Sequence, residues 1–121
     1  MEYRNIGSTG LKSSIIGLGC EYLEVGKPTY EELKATMDTA LDAGVNILDV
    51  FMPGTEIRET LAKALGNRRK DVMIQGHIGS VNLNKQFDIS RDLKTIQKYF
   101  EELLRIYGHI ELGLMYFGTI P

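Results

Sequence analysis

Apolar residues recur along much of the chain with a helical period. Three such stretches place their apolar side chains on one face, as in an amphipathic helix. Residues that favour helix ends bound each stretch, so the pattern predicts helices that begin near Thr29, Thr55 and Ser90 and end at Gly44, Gly66 and Gly108. In the first of these helices, Thr29 and Glu32 have the spacing of a capping box.

Apolar runs without a helical period lie between these helices. They predict buried strands at residues 14–20, 46–50, 72–77 and 110–117. Residues 2–14 predict a hairpin that turns at residues 7–10, and residues 78–89 predict a long loop. Strands that alternate with helices favour a parallel α/β sheet with right-handed crossovers. An open doubly wound sheet and part of a (β/α) barrel both fit this order.

Composition narrows the class of protein without assigning a function. The 121 residues predict a single domain over residues 1–121, with 43% hydrophobic and 25% charged residues and a net charge of −2. This charge gives no general attraction to nucleic acid or to an anionic membrane. No apolar run approaches the roughly 20 residues that span a bilayer, no metal-ligand spacing occurs, and the first residues lack a signal peptide's apolar core. We therefore expect a cytoplasmic protein.

Asp49 is the residue with the strongest claim to chemistry. It lies at the end of the second predicted strand, flanked by Leu48 and Val50. A carboxylate in an apolar run usually has a partner or a function. The alternative is structural, because Asp49 could accept hydrogen bonds from backbone N–H groups at the helix start near Thr55.

Three segments resemble the N-terminal half of the aldo/keto reductase family. These are M-E-Y-R-N-I-G-S-T-G-L-K-S-S-I-I-G-L-G-C at the start, A-L-D-A-G-V-N-I-L-D before Asp49, and R-E-T-L-A-K-A-L-G-N-R-R-K-D-V-M-I-Q after it. Their order and spacing are most similar to bacterial members that begin M-E-Y-R. The resemblance covers nearly all of this chain but about half of a typical family member. It implies a partial (β/α)8 TIM barrel of about four β/α units with an N-terminal β-hairpin.

The resemblance also implies an activity, which is hydride transfer between NADP(H) and a small-molecule carbonyl substrate. The family protonates the carbonyl oxygen with a tyrosine, assisted by lysine, aspartate and histidine. Asp49 matches the family aspartate, whereas the tyrosine falls at Met52 or Pro53. His77 stands at the lysine position and Tyr116 at the histidine position, so one of the four positions matches.

Two interpretations of the site follow. In the first, His77 is the acid, Tyr116 is a further donor and Asp49 orients His77, since histidine is chemically suited to proton transfer near neutral pH. In the second, His77 and Tyr116 are packed residues at strand ends. The resemblance places Cys20, Glu21, Tyr22 and Asp49 near the nicotinamide, although Cys20 alone is typical of a small buried residue.

Two functions therefore remain open at this stage. One is a truncated aldo/keto reductase-like oxidoreductase with a degenerate site, which on its own binds NADPH weakly or not at all. The other is a non-catalytic half-barrel scaffold, or a binding and assembly module. Four parallel strands would leave an open face with unpaired edges, and a homodimer through that face would cover it.

Overall fold

The chain begins with the predicted antiparallel hairpin. The computed structural model describes residues 1–20, 26–84 and 86–108. Strand β1 (Tyr3–Asn5) pairs with β2 (Lys12–Ser14) around a turn that needs positive φ angles at Gly7 and Gly10. The Tyr3 hydroxyl donates a 2.8 Å hydrogen bond to the Gly44 carbonyl. This bond fixes the hairpin against the end of the first helix.

A parallel sheet follows, as the alternation of strands and helices predicts. In the described residues it has the order β3 (Leu18–Gly19), β4 (Ile47–Val50) and β5 (Met73–Gly76), and both pairings are parallel. The predicted fourth strand at residues 110–117 lies outside the described residues. The architecture is a mixed α/β fold, and the part of the chain that the structure describes does not form a closed barrel.

The first predicted strand is wrong in length and in burial. Only Leu18 and Gly19 pair with β4, and Ser14 belongs to the hairpin instead. Ile15 and Ile16 are 50% and 59% exposed, although an apolar run of this kind was expected to be buried on both faces. The reason is that Ile15 and Ile16 lie in a bend between β2 and β3 and belong to neither strand.

Three helices cover the sheet in the described part of the chain. They are α1 (Tyr30–Asp42), α2 (Thr55–Leu65) and α3 (Leu93–Tyr107), and a 3₁₀ helix (Gly66–Asp71) continues from α2. The capping box of Thr29 and Glu32 is present. The predicted cap of α3 is wrong, because Asp92 rather than Ser90 accepts the hydrogen bond from the Thr95 N–H. None of these helices has the length and apolar character that crossing a membrane requires.

The core lies between the helices and one face of the sheet. Leu48 and Val50 project from β4 onto this face and are fully buried. They join a cluster of buried side chains from the helices and from β5 that includes Leu33, Met37, Leu61, Leu65 and Ile74. Ile47 and Asp49 alternate with them and are half-buried. The sequence therefore sends Asp49 to the sheet face opposite the helices.

A hairpin occupies most of the segment that was predicted to be a loop. Strands β6 (Ser80–Leu83) and β7 (Gln86–Ile89) pair antiparallel immediately after β5. The Tyr99 hydroxyl on α3 donates to the Asn82 carbonyl, and the Ser90 N–H donates to the Gly79 carbonyl at 2.9 Å. These bonds hold the hairpin at the end of the sheet where β5 finishes.

Candidate functional site

Asp49 and His77 meet at the carboxyl end of the parallel sheet. The Nε2 atom of His77 lies 2.7 Å from Oδ1 of Asp49, a separation typical of a charge-assisted hydrogen bond. Asp49 is the third residue of β4, and His77 directly follows Gly76, which pairs with Val50. Parallel pairing therefore brings the two side chains to one edge from positions 28 residues apart.

Both members of the pair remain accessible to small molecules. The side chain of Asp49 is 42% exposed and that of His77 is 24% exposed. The structural alternative for Asp49 is not observed. Gly54 is the N-cap of α2, no side chain caps the helix there, and the Thr55 hydroxyl bonds to Glu102. The Asp49 carboxylate is instead hydrogen-bonded to an imidazole. Such a pair can hold a proton and orient the ring that carries it.

Two phenylalanine rings extend from this pair. The Phe51 ring is tilted against the His77 ring, with 5.8 Å between the centroids. Phe87 meets the Phe51 ring edge-on at 5.3 Å. Phe87 belongs to β7, and the alternation of apolar and polar residues around it in V-N-L-N-K-Q-F-D-I is the sequence signal that could have revealed this strand.

Cys20 lies at the same edge of the sheet, but its side chain is not exposed there. Its N–H donates a 2.9 Å hydrogen bond to the Asp49 carbonyl, and its side chain is fully buried. Burial, assisted by the negative charge of Asp49, raises the pKa of the Cys20 thiol to about 12. The thiol is therefore protonated at neutral pH, as expected of a packing residue. The prediction that Cys20 contacts a cofactor gains no support from this buried side chain.

The remaining predicted site residues cannot be placed beside this pair. Tyr116, Glu21 and Tyr22 lie outside the described residues. Met52 and Pro53, where the family resemblance would put a tyrosine, are both buried in the core. Neither side chain has a proton to donate, so the acid role cannot fall at that position.

The polar and charged side chains of the described residues differ in whether they face outward or bond within the fold. Asp49 and His77 offer exposed polar atoms at the sheet edge. The guanidinium groups of Arg58 and Arg69 instead bond to backbone carbonyls within the fold. Among residues 1–20, 26–84 and 86–108, no group of three or more histidine, cysteine or carboxylate side chains could hold a metal ion.

Solved structures of other proteins share the fold of this chain. Two structures of a Pseudomonas aeruginosa protein assigned to the aldo-keto reductases match 93% of this chain at 23% identity, with TM-scores of 0.80 and 0.78. The holo form of an aldo-keto reductase from Bacillus halodurans matches 88% at 24% identity, with a TM-score of 0.71. The fold is that of part of an aldo-keto reductase. The resemblance found in the sequence is therefore confirmed at the level of the fold.

The aldo-keto reductase likeness covers only part of those proteins. The matched region is 45%, 44% and 36% of the three structures, so the chain spans less than half their length. In sequence, the chain is 34% identical over 79 residues to a "Probable voltage-gated potassium channel subunit beta" from Oryza sativa subsp. japonica. This match covers 24% of the length of that protein. No model of a known protein family matches the chain.

Proposed function

We propose that this protein is an oxidoreductase that reduces a carbonyl group with NADPH, with His77 as the proton donor and Asp49 as the residue that orients it. The observation that carries the proposal is the 2.7 Å hydrogen bond between His77 Nε2 and Asp49 Oδ1. Its position at the carboxyl edge of parallel strands supports the proposal, because reactive groups gather there in barrel enzymes. The aldo-keto reductase fold supports an oxidoreductase kind of activity.

Reduction of a carbonyl requires a hydride at carbon and a proton at oxygen. NADPH, when bound, supplies the hydride. The chain has to supply the proton, and the His77 imidazolium carries two on its ring. One proton lies in the hydrogen bond to Asp49, and we assign the other to the carbonyl oxygen, which leaves a neutral imidazole and an alcohol. Asp49 holds the ring in position through this hydrogen bond.

The test is NADPH-dependent reduction of aldehydes by the full chain, with the alcohol measured directly. Loss of a general acid costs about 10²-fold to 10⁴-fold in rate, so we expect a loss of this size in kcat for His77→Gln. His109→Gln is the matched control, because the chain has two histidines. Equal rates for wild type and His77→Gln would overturn the assignment, and so would saturable NADPH binding without any turnover.

The Asp49→Asn variant tests whether Asp49 orients the His77 ring or only packs against it. The amide keeps the size of the carboxylate and can still accept a hydrogen bond, but it carries no negative charge, so its bond to the imidazolium is weaker. We expect a smaller loss of kcat than in His77→Gln, together with loss of the far-downfield proton resonance of the bonded ring N–H. An unchanged resonance would show that Asp49 does not hold the ring in solution.

A second candidate function is a non-catalytic assembly module. The observation that favours it is the exposure of Ile15 and Ile16 beside β3, the end strand of the described sheet. A second copy of the chain could cover such an edge. Light scattering is the test: the assembly function predicts a dimer that Ile16→Lys converts to a monomer, while a monomeric wild type contradicts it.

A further inference from the structure

Three aromatic rings form a continuous series at the candidate site. His77 contacts Phe51, and Phe51 contacts Phe87, with centroid separations of 5.8 Å and 5.3 Å. Both separations are within the range of favourable aromatic pairs. Because His77 also carries the bond to Asp49, the series leads from the proposed proton donor to the β6–β7 hairpin.

Phe87 presents much of its ring to the surroundings. It is 43% exposed, and Ile89, which alternation places on the same face of β7, is 61% exposed. Exposed apolar side chains scattered singly need no explanation, whereas adjacent ones form a patch of the kind that can bind a ligand or a partner. Phe87 and Ile89 together form an apolar wall, and His77 provides a hydrogen-bonding group. A carbonyl compound with an apolar body requires both.

The wall is held in place from outside the site. Asn82 pairs with Phe87 across the hairpin, and the Asn82 carbonyl accepts a hydrogen bond from the Tyr99 hydroxyl on α3. The hairpin base is closed by the bond from Ser90 to Gly79. A surface that is positioned before the ligand arrives loses less entropy on binding.

From this geometry we infer that the substrate is an aromatic carbonyl compound and that Phe87 is the residue that selects it. The substrate ring lies against Phe87, and its carbonyl oxygen reaches His77. This inference rests on the proposed function, since it assigns the substrate class of the same site. Stacking on an aromatic face adds affinity beyond that from buried area, and this addition is about threefold to tenfold.

Ligand binding to the full chain tests whether the apolar wall prefers an aromatic ligand, and it does not require turnover. Benzyl alcohol and cyclohexylmethanol are similar in size, but only the first has an aromatic face. With the two histidines isotopically labelled and His77→Gln used for assignment, we expect benzyl alcohol to shift the His77 ring resonances. We expect its Kd to be about threefold to tenfold lower than that of cyclohexylmethanol.

Three variants identify the source of the preference. Phe87→Leu keeps an apolar side chain but removes the ring, and Phe87→Ala removes both; each should abolish the preference for benzyl alcohol. Leu83→Ala is the matched control, because Leu83 lies on the same hairpin with 44% exposure and pairs with Gln86. It should leave the preference unchanged. Equal affinity for the two alcohols, or a preference that survives Phe87→Leu, would overturn the inference.

Kinetics with benzaldehyde and cyclohexanecarbaldehyde separate this inference from the proposed function. Preferred binding of benzyl alcohol without reduction of either aldehyde would overturn the proposed function and leave Phe87 as part of a binding site. Reduction of both aldehydes with equal KM would overturn the selectivity alone. Absence of both binding and reduction would overturn the two together.

Discussion

The guanidinium of Arg58 lies 3.3 Å from the carboxylate of Glu102, and this ion pair joins α2 to α3. Arg58 is 2% exposed, and it also donates to the carbonyls of Met52 and Tyr99 at 3.1 Å and 3.0 Å. Burial lowers the pKa of Arg58, and the neighbouring Glu102 carboxylate acts in the opposite direction. The cationic group is thus stabilised by acceptors that enclose it.

Arg58→Met should destabilise the protein strongly. Removing one partner of a buried ion pair costs about 3–5 kcal/mol, since the remaining charge and carbonyls lose their donor. The measurement is the free energy of unfolding in urea. Arg105→Met is the matched control, because the pair of Arg105 with Glu59 has the same 3.3 Å separation between the same helices but is 63% and 55% exposed. It should cost less than about 1 kcal/mol, and equal losses would contradict the role given to burial.

Asn46→Ala should loosen the N-terminal hairpin. The Asn46 side chain accepts from the Ser14 N–H at 2.7 Å and donates to the Lys12 carbonyl at 2.9 Å. Loss of both bonds should reduce the free energy of unfolding by about 1–3 kcal/mol and accelerate hydrogen exchange at the Ser14 amide. Asn46→Asp keeps the acceptor and loses the donor, so Ser14 should stay protected there. Fast exchange in both variants would contradict this division of roles.

Alkaline pH should destabilise the fold through Cys20. The pKa of its thiol is about 12 in the folded protein against an ordinary value of 9.0, so the folded state keeps a proton that the unfolded chain releases. This contribution to stability is complete below pH 9 and decreases as pH rises towards 12. The free energy of unfolding should fall by about 1 kcal/mol for each pH unit above 9.

The slope of stability against pH is best measured from pH 9.0 up to pH 10.0, an interval that does not exceed the ordinary pKa of tyrosine. Burial also raises the pKa of Tyr107, and that group adds its own dependence at higher pH. In Cys20→Ala the slope over this interval should become flatter, whatever the stability of the variant at neutral pH. An unchanged slope would show that the thiol is not the group responsible.

Tyr107→Phe should stabilise the protein. The Tyr107 hydroxyl is buried and has no hydrogen-bond partner among the described residues. Removing it should raise the free energy of unfolding by about 1 kcal/mol. Tyr99→Phe is the opposite case, because the Tyr99 hydroxyl donates to the Asn82 carbonyl, and it should lower stability by about the same amount. Thermal unfolding of the two variants should therefore shift in opposite directions.

Local chemistry made much of the fold predictable. The capping box of Thr29 and Glu32 and the positive φ of Gly44 depend on residues close together in sequence. The same reasoning failed at α3, because Ser90 and Asp92 both suit a helix cap and only the three-dimensional arrangement selects Asp92. Periodicity also did not predict the burial of Arg58 in α2, because it assigns apolar side chains to the buried face.

The candidate site was only partly predictable, for a similar reason. Parallel strands end at a common edge, so Asp49 and His77 could be expected to meet there. The contribution of Phe87 depends on a hairpin that turns near Asn84, a residue with φ of 54°, and the polar composition of that segment favoured a loop. Periodicity likewise describes each strand separately, so it could not distinguish an open sheet from part of a barrel.

The bond between Ser90 and Gly79 has a consequence for protein engineering. Because the N–H and carbonyl that it joins stand at the two ends of the β6–β7 hairpin, the segment between them leaves and re-enters the fold at a single point. A replacement segment of another length needs only to preserve that closure, while β5 and α3 keep their places. The hairpin is therefore a natural cassette for sequence libraries that alter ligand preference on an unchanged scaffold.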